Sequence, residues 1–419
     1  MARPSSFTPS PTPTVPNPAP VTAWPVASSS AAEPHDTGDP PFGLHMTWGR
    51  ADQPASPQAR PRRWLAAIAV LASFALLGLT SCTGEAPVSE ERQSDSPVAE
   101  TVVRYGFYAY FEPVSALADS QNDQHGERDA SGSGQQPSDR GGHIGYEADL
   151  LSAIEAMDGF GLRFVRSPIT EWPGIWLMAA SDSFDITGGG ITALDSRTRD
   201  ADGAAVIAFT EPHIEFRQSL LVRSADAERI RSHGDLHATD RVGVLASTTG
   251  EARLLQLLDV TDDGRLAPGT RVHTPAGVVL VGDDGRHSIT ASGASADLAD
   301  RTRLEPADPD LPDVVYLGEL AGEQELLDAL SRGDVDAIAR GTIGNAAAAF
   351  DSDGEFAVTA RDQAVEHGGF AIDAANAELR SAINTAVAWL TDNGRIGITQ
   401  WIADNTVFAT RARQWQPPS

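Results

Sequence analysis

Arg197 has the most to offer a small anion. In the run Asp195-Ser196-Arg197-Thr198-Arg199-Asp200, a planar guanidinium can hold a carboxylate through two parallel hydrogen bonds, which a point-like cation does less well. Arg199 is a rival two residues on, and either arginine could instead pair with Asp195 or Asp200 at the surface. Ser247-Thr248-Thr249 follows a predicted strand and opens a predicted helix, so its amides sit where free N–H groups and the helix dipole favour an anion. Thr248-Thr249-Gly250-Glu251 also spells a capping box, which would satisfy those donors internally. The two readings are compatible if Thr248 caps while Thr249 or a backbone amide faces a ligand. Trp172 and Trp176, four residues apart, read as core. The ten histidines have no metal-ligand spacing, so no metal is expected, and no cofactor either. All 31 basic residues are arginine, which excludes phosphate-loop and Schiff-base lysines.

The elements that must carry these residues alternate between short β-rich runs and amphipathic helical stretches from Val102 onward, the pattern of βαβ units in an α/β fold. Strands are predicted at Val102–Tyr108, Arg163–Val165, Phe184–Thr187 and Leu220–Val222. Leu150, Leu151, Ile154 and Met157 mark a helix after the first strand. The alternation restarts with Val242–Leu245, a helix over Gly250–Leu258, then Val314–Leu317, Glu323–Leu330 and Val335–Ala339, which suggests a second lobe. Leu379, Ile383, Val387 and Leu390 mark a closing amphipathic helix. Two polar stretches interrupt the pattern. Residues 117–143 read as a surface insertion, and 261–312 as a polar hairpin, Arg271–His273 against Val278–Val281, remote from any ligand.

Ahead of this domain, Arg60, Arg62 and Arg63 precede an apolar run from Trp64 that ends in Leu79-Thr80-Ser81-Cys82, which reads as a bacterial lipobox. The thiol of Cys82, the one cysteine of the chain, would take up a diacylglyceryl group. The run is shorter than the roughly 20 residues a spanning helix needs. Residues 46–81 are thus expected to be a lipoprotein signal peptide and 82–100 a tether. Residues 1–45, rich in Pro, Ser, Thr and Ala, are expected to be disordered or a start assigned too early. A formal charge of −27 disfavours nucleic acid and anionic lipid as partners, so membrane attachment would run through the lipid on Cys82.

The order of motifs from residue 102 to 403 resembles the family 3 extracellular solute-binding proteins, the amino-acid receptors of ABC importers. The resemblance is carried by Gly106 through Pro113, Gly145-Tyr146-Glu147-Ala148-Asp149-Leu150, Trp172, Phe184 through Thr192 with Arg197, and Phe209-Thr210-Glu211-Pro212-His213. It continues through Val242-Gly243-Val244, Ser247-Thr248-Thr249, Gly333 through Ala337, Gly369 through Ile372, Asn393 through Ile396, and Trp401. It implies a two-lobed, periplasmic-binding-protein-like type II fold, each lobe a mixed sheet flanked by helices, joined by two hinge crossovers. Lobe 1 would be 101–216 plus 368–419, and lobe 2 would be 217–367.

The resemblance further implies a monomeric, non-enzymatic binding protein outside the cytoplasmic membrane that hands a small carboxylate ligand to a permease. Arg197 would clamp the carboxylate, with Ser247, Thr248 and Thr249 opposite. Gly190 and Thr192 would receive the ligand's amino group, and Tyr110 and Phe111 would wall its side chain. Where the family carries an aspartate for the amino group this chain has Gly341, preceded by Arg340, which would face the cleft or form a structural ion pair. Glu112, Glu147 or Glu251 is expected to supply the missing carboxylate. The alternative is an enzyme on the same fold resembling cyclohexadienyl (prephenate or arogenate) dehydratase, with Glu112 or Glu147 as general acid.

Overall fold

The computed structural model describes residues 100–118, 141–318 and 322–417, all within the unit Glu90–Ser419. The signal peptide, Cys82, the tether and most of the 117–143 insertion lie outside the described residues. Among those described, no helix is long and apolar enough to cross a membrane, and no cluster of three or more His, Cys, Asp or Glu could hold a metal.

The first lobe is built on a five-stranded sheet in the order Leu162–Ile169, Thr101–Tyr108, Ile186–Gly188, Ala371–Asp373, Ile207–Phe209. The first three strands run parallel, and Ala371–Asp373 is antiparallel to its neighbours on both sides. Thr101–Tyr108 is buried on both faces over its second half, as expected of a central strand. The helix Tyr146–Glu155 covers one face with Leu150, Leu151 and Ile154, all fully buried. No side chain caps its N-terminus. Instead the amides of Tyr146 and Glu147 donate to the carbonyls of Pro113 and Val114, so the loop after the first strand satisfies the helix's orphan donors and is pinned by them.

The second lobe holds an eight-stranded mixed sheet whose centre is the parallel set Asp313–Tyr316, Arg241–Val244, Ala337–Gly341. Gln218–Arg223 and Phe356–Thr359 extend one edge antiparallel. The other edge is extended by three strands from the polar insertion, Arg303–Glu305, Arg271–Thr274 and Gly277–Leu280. The expected hairpin is present, and it is an integral part of the sheet. Val272 from the hairpin and Leu304 from the strand beside it are fully buried in the same cluster as Val242, Val244 and Val314.

Two crossovers join the lobes, and they pair with each other: Ile214–Phe216 leaves lobe 1, Glu366–Gly368 returns, and the two form an antiparallel ribbon. The main chain of Gly368 is tied to His213 on one side and forms a bridge to Thr192 on the other. A Cβ at Gly368 would lie 2.5 Å from the Phe216 ring and 2.6 Å from Ile214. Gly368→Ala is therefore expected to overpack the hinge by about 1–3 kcal/mol, which a thermal melt of the ligand-free protein will show as a drop of several degrees.

Candidate functional site

A cavity of about 60 Å³ lies where the lobes meet. That is several times the ~10–15 Å³ one water requires, the scale of a small solute rather than a peptide. Lobe 1 contributes Tyr108, Phe111, Trp172, Gly190 and Thr192, and the hinge gives Phe216. Lobe 2 contributes Gln218, Leu245, Thr248, Thr249, Gly250, Glu323, Arg340 and Gly341.

The glycine turn after Ile186–Gly188 takes left-handed backbone at Gly189 (φ 115°) and Gly190 (φ 76°). A Cβ at 190 would sit 2.5 Å from the Phe111 ring, so this wall of the cavity requires glycine. Glu147 holds the turn from behind. Its buried carboxylate accepts from Gly189 N (2.6 Å), Gly190 N (3.0 Å), the Tyr105 hydroxyl (2.9 Å) and His213 Nε2 (3.1 Å).

Arg197 follows this turn and is fully buried, stacked on Trp176 with Cζ 4.2 Å from the ring centroid. It does not line the cavity. Its Nη1 donates to Thr192 O (3.2 Å), Nη2 to Ser247 O (3.2 Å) and Ala291 O (2.7 Å), and Nε to Ala291 O (3.2 Å). Ser247 and Ala291 belong to lobe 2, so the guanidinium sits in the seam between lobes. Among the described residues no carboxylate lies within ion-pairing distance of it. Burial pushes its pKa down to about 9, against the pull of Glu366. The rival Arg199 is exposed and donates to Gly203 O. The 261–312 insertion, expected to be remote, thus reaches the seam through Ala291, which sits in the turn of a separate two-stranded ribbon, Ile289–Thr290 against Gly293–Ala294.

Across the seam, Ser247 adopts left-handed backbone (φ 59°), and its carbonyl accepts from both Arg197 and Trp172 Nε1 (3.0 Å). Thr248 caps the helix Thr249–Leu257 by accepting from Glu251 N, as the capping motif predicts. Glu251 reaches back one residue further, to Ser247 N (2.7 Å), and is ion-paired with Arg301 in full burial. Ser247 and Tyr110 do not line the cavity. Tyr110 packs edge-on against Tyr108 and over Gly322. Arg340 does line it, with its charge met by Glu323 and its remaining donors by Asn345 Oδ1 (2.7 Å) and Gly344 O (2.9 Å). Burial raises the pKa of Glu323 against the opposing effect of Arg340.

The structure therefore brings Phe111, Gly190, Thr192, Thr248, Thr249 and Arg340 to one cavity and places Arg197 directly behind Thr192. Of the three acids expected to compensate for Gly341, Glu147 and Glu251 are buried and engaged elsewhere, and Glu112 is exposed. Sequence reasoning missed Phe216, Gln218, Leu245 and Glu323, and it read Trp172 as core alone, whereas Trp172 is core on one edge and cavity wall on the other. Gln218 could have been noticed as a polar residue at the head of the strand that carries the apolar run Leu220–Val222.

Two mixed α/β lobes, two paired crossovers and a ligand-sized cavity between them define a hinged solute-binding fold. The model of the bacterial extracellular solute-binding proteins, family 3, matches residues 134–402, and the chain belongs to that family. Among solved structures the chain is similar to an ancestral arginine-binding protein bound to glutamine (17% identity, covering 76% of this chain and 98% of that one, TM-score 0.44). It is also similar to an ancestral amino acid-binding protein described as a precursor of cyclohexadienyl dehydratase (18%, 75% and 95%, 0.44). A third is the arginine-binding protein of T. maritima (16%, 72% and 96%, 0.44). No curated protein matches the sequence.

Proposed function

We propose that this protein is an extracytoplasmic receptor that closes around a small carboxylate-bearing solute, an amino acid or related organic acid, and delivers it to the permease of an ABC importer. Cys82 would carry the lipid that keeps it at the membrane, and the monomer would be the working unit. The observation that carries this reading is Arg197, a fully buried guanidinium in the interlobe seam whose acceptors are neutral carbonyls alone. A buried charge without a counter-charge is costly, and an arriving carboxylate removes that cost. The ligand's carboxylate would displace the carbonyls of Ala291 and Ser247 from the guanidinium, and the helix N-terminus at Thr249 would face it from lobe 2. Because these groups sit on opposite lobes, a ligand touching both favours the closed state.

The cavity also holds an acid whose pKa burial raises, Glu323, and this favours a second reading as a dehydratase that protonates a departing hydroxyl. Ion-pairing to Arg340 counts against it. A thermal-shift screen of residues 90–419 with amino acids, dicarboxylates and amine-free carboxylates tests the receptor reading. A true ligand at a hundredfold excess over Kd is expected to add about 2.7 kcal/mol of stability. No shift with any carboxylate would overturn it, and conversion of prephenate or arogenate would establish the enzyme instead.

A further inference from the structure

We infer that the tip of the Ile289–Ala294 ribbon is a latch between the lobes. It fastens lobe 2 to lobe 1 through contacts between protein atoms, so that a solute enters the cleft only when the tip lets go. The inference goes beyond the receptor reading and concerns how access to the same cleft is regulated.

Ala291 and Ser292 form the tip, between the paired strands Ile289–Thr290 and Gly293–Ala294. The base of the ribbon is fixed to lobe 2. Ile289 is buried in the lobe 2 core cluster and its amide donates to Gly264 O (2.8 Å), while Ser288 N donates to Ser295 Oγ (2.9 Å). The tip is shaped by its own bonds as well. Thr290 Oγ1 donates to Gly293 O (3.1 Å) and accepts from Ser292 N (3.2 Å). A tip already ordered in this way loses little freedom on touching lobe 1, so its contacts are not offset by the entropy of fixing a loose loop.

Both tip residues cross the seam to one turn of lobe 1, Asp195–Thr198. Ala291 O accepts from Arg197 Nη2 (2.7 Å) and Nε (3.2 Å), and the hydroxyls of Ser292 and Ser196 meet at 2.6 Å. Ser247 O adds two more bonds from lobe 1, from Arg197 Nη2 and Trp172 Nε1. Ala291, Ser247, Arg197 and Trp172 are all buried, so these charge-assisted and neutral bonds form away from competing water. Opening the seam would hydrate the guanidinium, which works against the latch, and the bonds from both tip residues work for it. The two terms oppose each other, which makes the latch releasable rather than permanent. Loss of the tip alone removes the bonds of both Nε and Nη2 to Ala291, leaving Arg197 with Thr192 O and Ser247 O.

The test uses residues 90–419, which contain no cysteine because the chain's one cysteine is Cys82. Wild type and two variants are compared by small-angle scattering and amide hydrogen exchange in buffer without added solute. Ser196→Trp sets a ring where the tip rests. The double variant Ser196→Cys with Ser292→Cys replaces two touching hydroxyls by thiols that diamide can join and dithiothreitol can part. Melting temperatures check that each protein is folded. Ser196→Trp is expected to show a larger radius of gyration than wild type and roughly tenfold faster exchange over residues 194–199 and 289–293. The oxidised double variant is expected to keep the wild-type radius and to exchange the same amides roughly tenfold more slowly, with reduction restoring the wild-type rate. A wild type as extended as Ser196→Trp, with only the oxidised variant compact, would overturn the latch. So would a Ser196→Trp protein as compact and as protected as wild type. Should Ser196→Trp melt early, wild type against the oxidised variant decides alone, an extended wild type being the overturning result. Neither readout involves a ligand, so the latch and the carboxylate reading of Arg197 stand or fall separately.

Discussion

Arg197→Ala is expected to weaken binding of any carboxylate ligand by at least about 3 kcal/mol, more than a hundredfold, in a calorimetric titration. The size follows from the acceptor set. A bidentate, charge-assisted pair formed away from water is among the stronger polar interactions available, and the alanine variant leaves the arriving carboxylate with neither hydrogen bonds nor a counter-charge. The pH dependence has a definite sign. Burial holds the Arg197 pKa at about 9 in the folded protein, well below the ordinary arginine value. Below pH 9 the group is charged in both folded and unfolded chains, and folding bears the full cost of burying it. Above about pH 9, until the unfolded arginine itself titrates, the unfolded chain binds more protons, so this contribution to stability improves as pH rises. A bound carboxylate favours the charged form, so affinity for an amine-free carboxylate should be flat near neutrality and fall above pH 9 in wild type. In Arg197→Ala no such fall is expected.

Glu147→Ala is the second large effect, and it acts on folding. The carboxylate is buried and accepts four hydrogen bonds, two of them from the backbone of the glycine turn. Its removal strands two amides, the Tyr105 hydroxyl and His213 without acceptors, a loss of about 3–5 kcal/mol. Thermal melts should show a decrease on the order of 10 °C. Glu147→Gln keeps one acceptor oxygen but turns N–H against N–H on the other side, so an intermediate decrease is expected. An unchanged melting temperature in the alanine variant would mean that the glycine turn holds its conformation unaided.

Much of the fold was legible because it is written in local patterns. The strand at Val102–Tyr108, the helix carrying Leu150, Leu151 and Ile154, and the capping of Thr248 all depend on residues within a few positions of one another. The gathering of Gly190, Thr192, Thr248, Thr249 and Arg340 at one cavity was legible only through the collinear resemblance, since the pieces lie up to 150 residues apart. What escaped was fixed by tertiary geometry. Nothing about Glu366, next to an unremarkable histidine, announces that the hinge ribbon turns it toward Gln218, 148 residues away. The polarity of the 261–312 insertion signalled a surface excursion, yet Val272, Leu298 and Leu304 are enough to anchor it in the core. The alternation of exposed and buried positions in its short strands is visible only once their pairing is known.

The carbonyl of Ala291 resting on the Arg197 guanidinium gives this protein a built-in placeholder. In the proposed receptor, an incoming solute would have to evict a peptide group that costs no translational entropy to hold in place, so apparent affinity would be diluted by the fraction of molecules in which the seat is already taken. On that reading the length and packing of the 261–312 insertion would work as a sensitivity dial, which evolution could turn without touching any residue that meets the cargo.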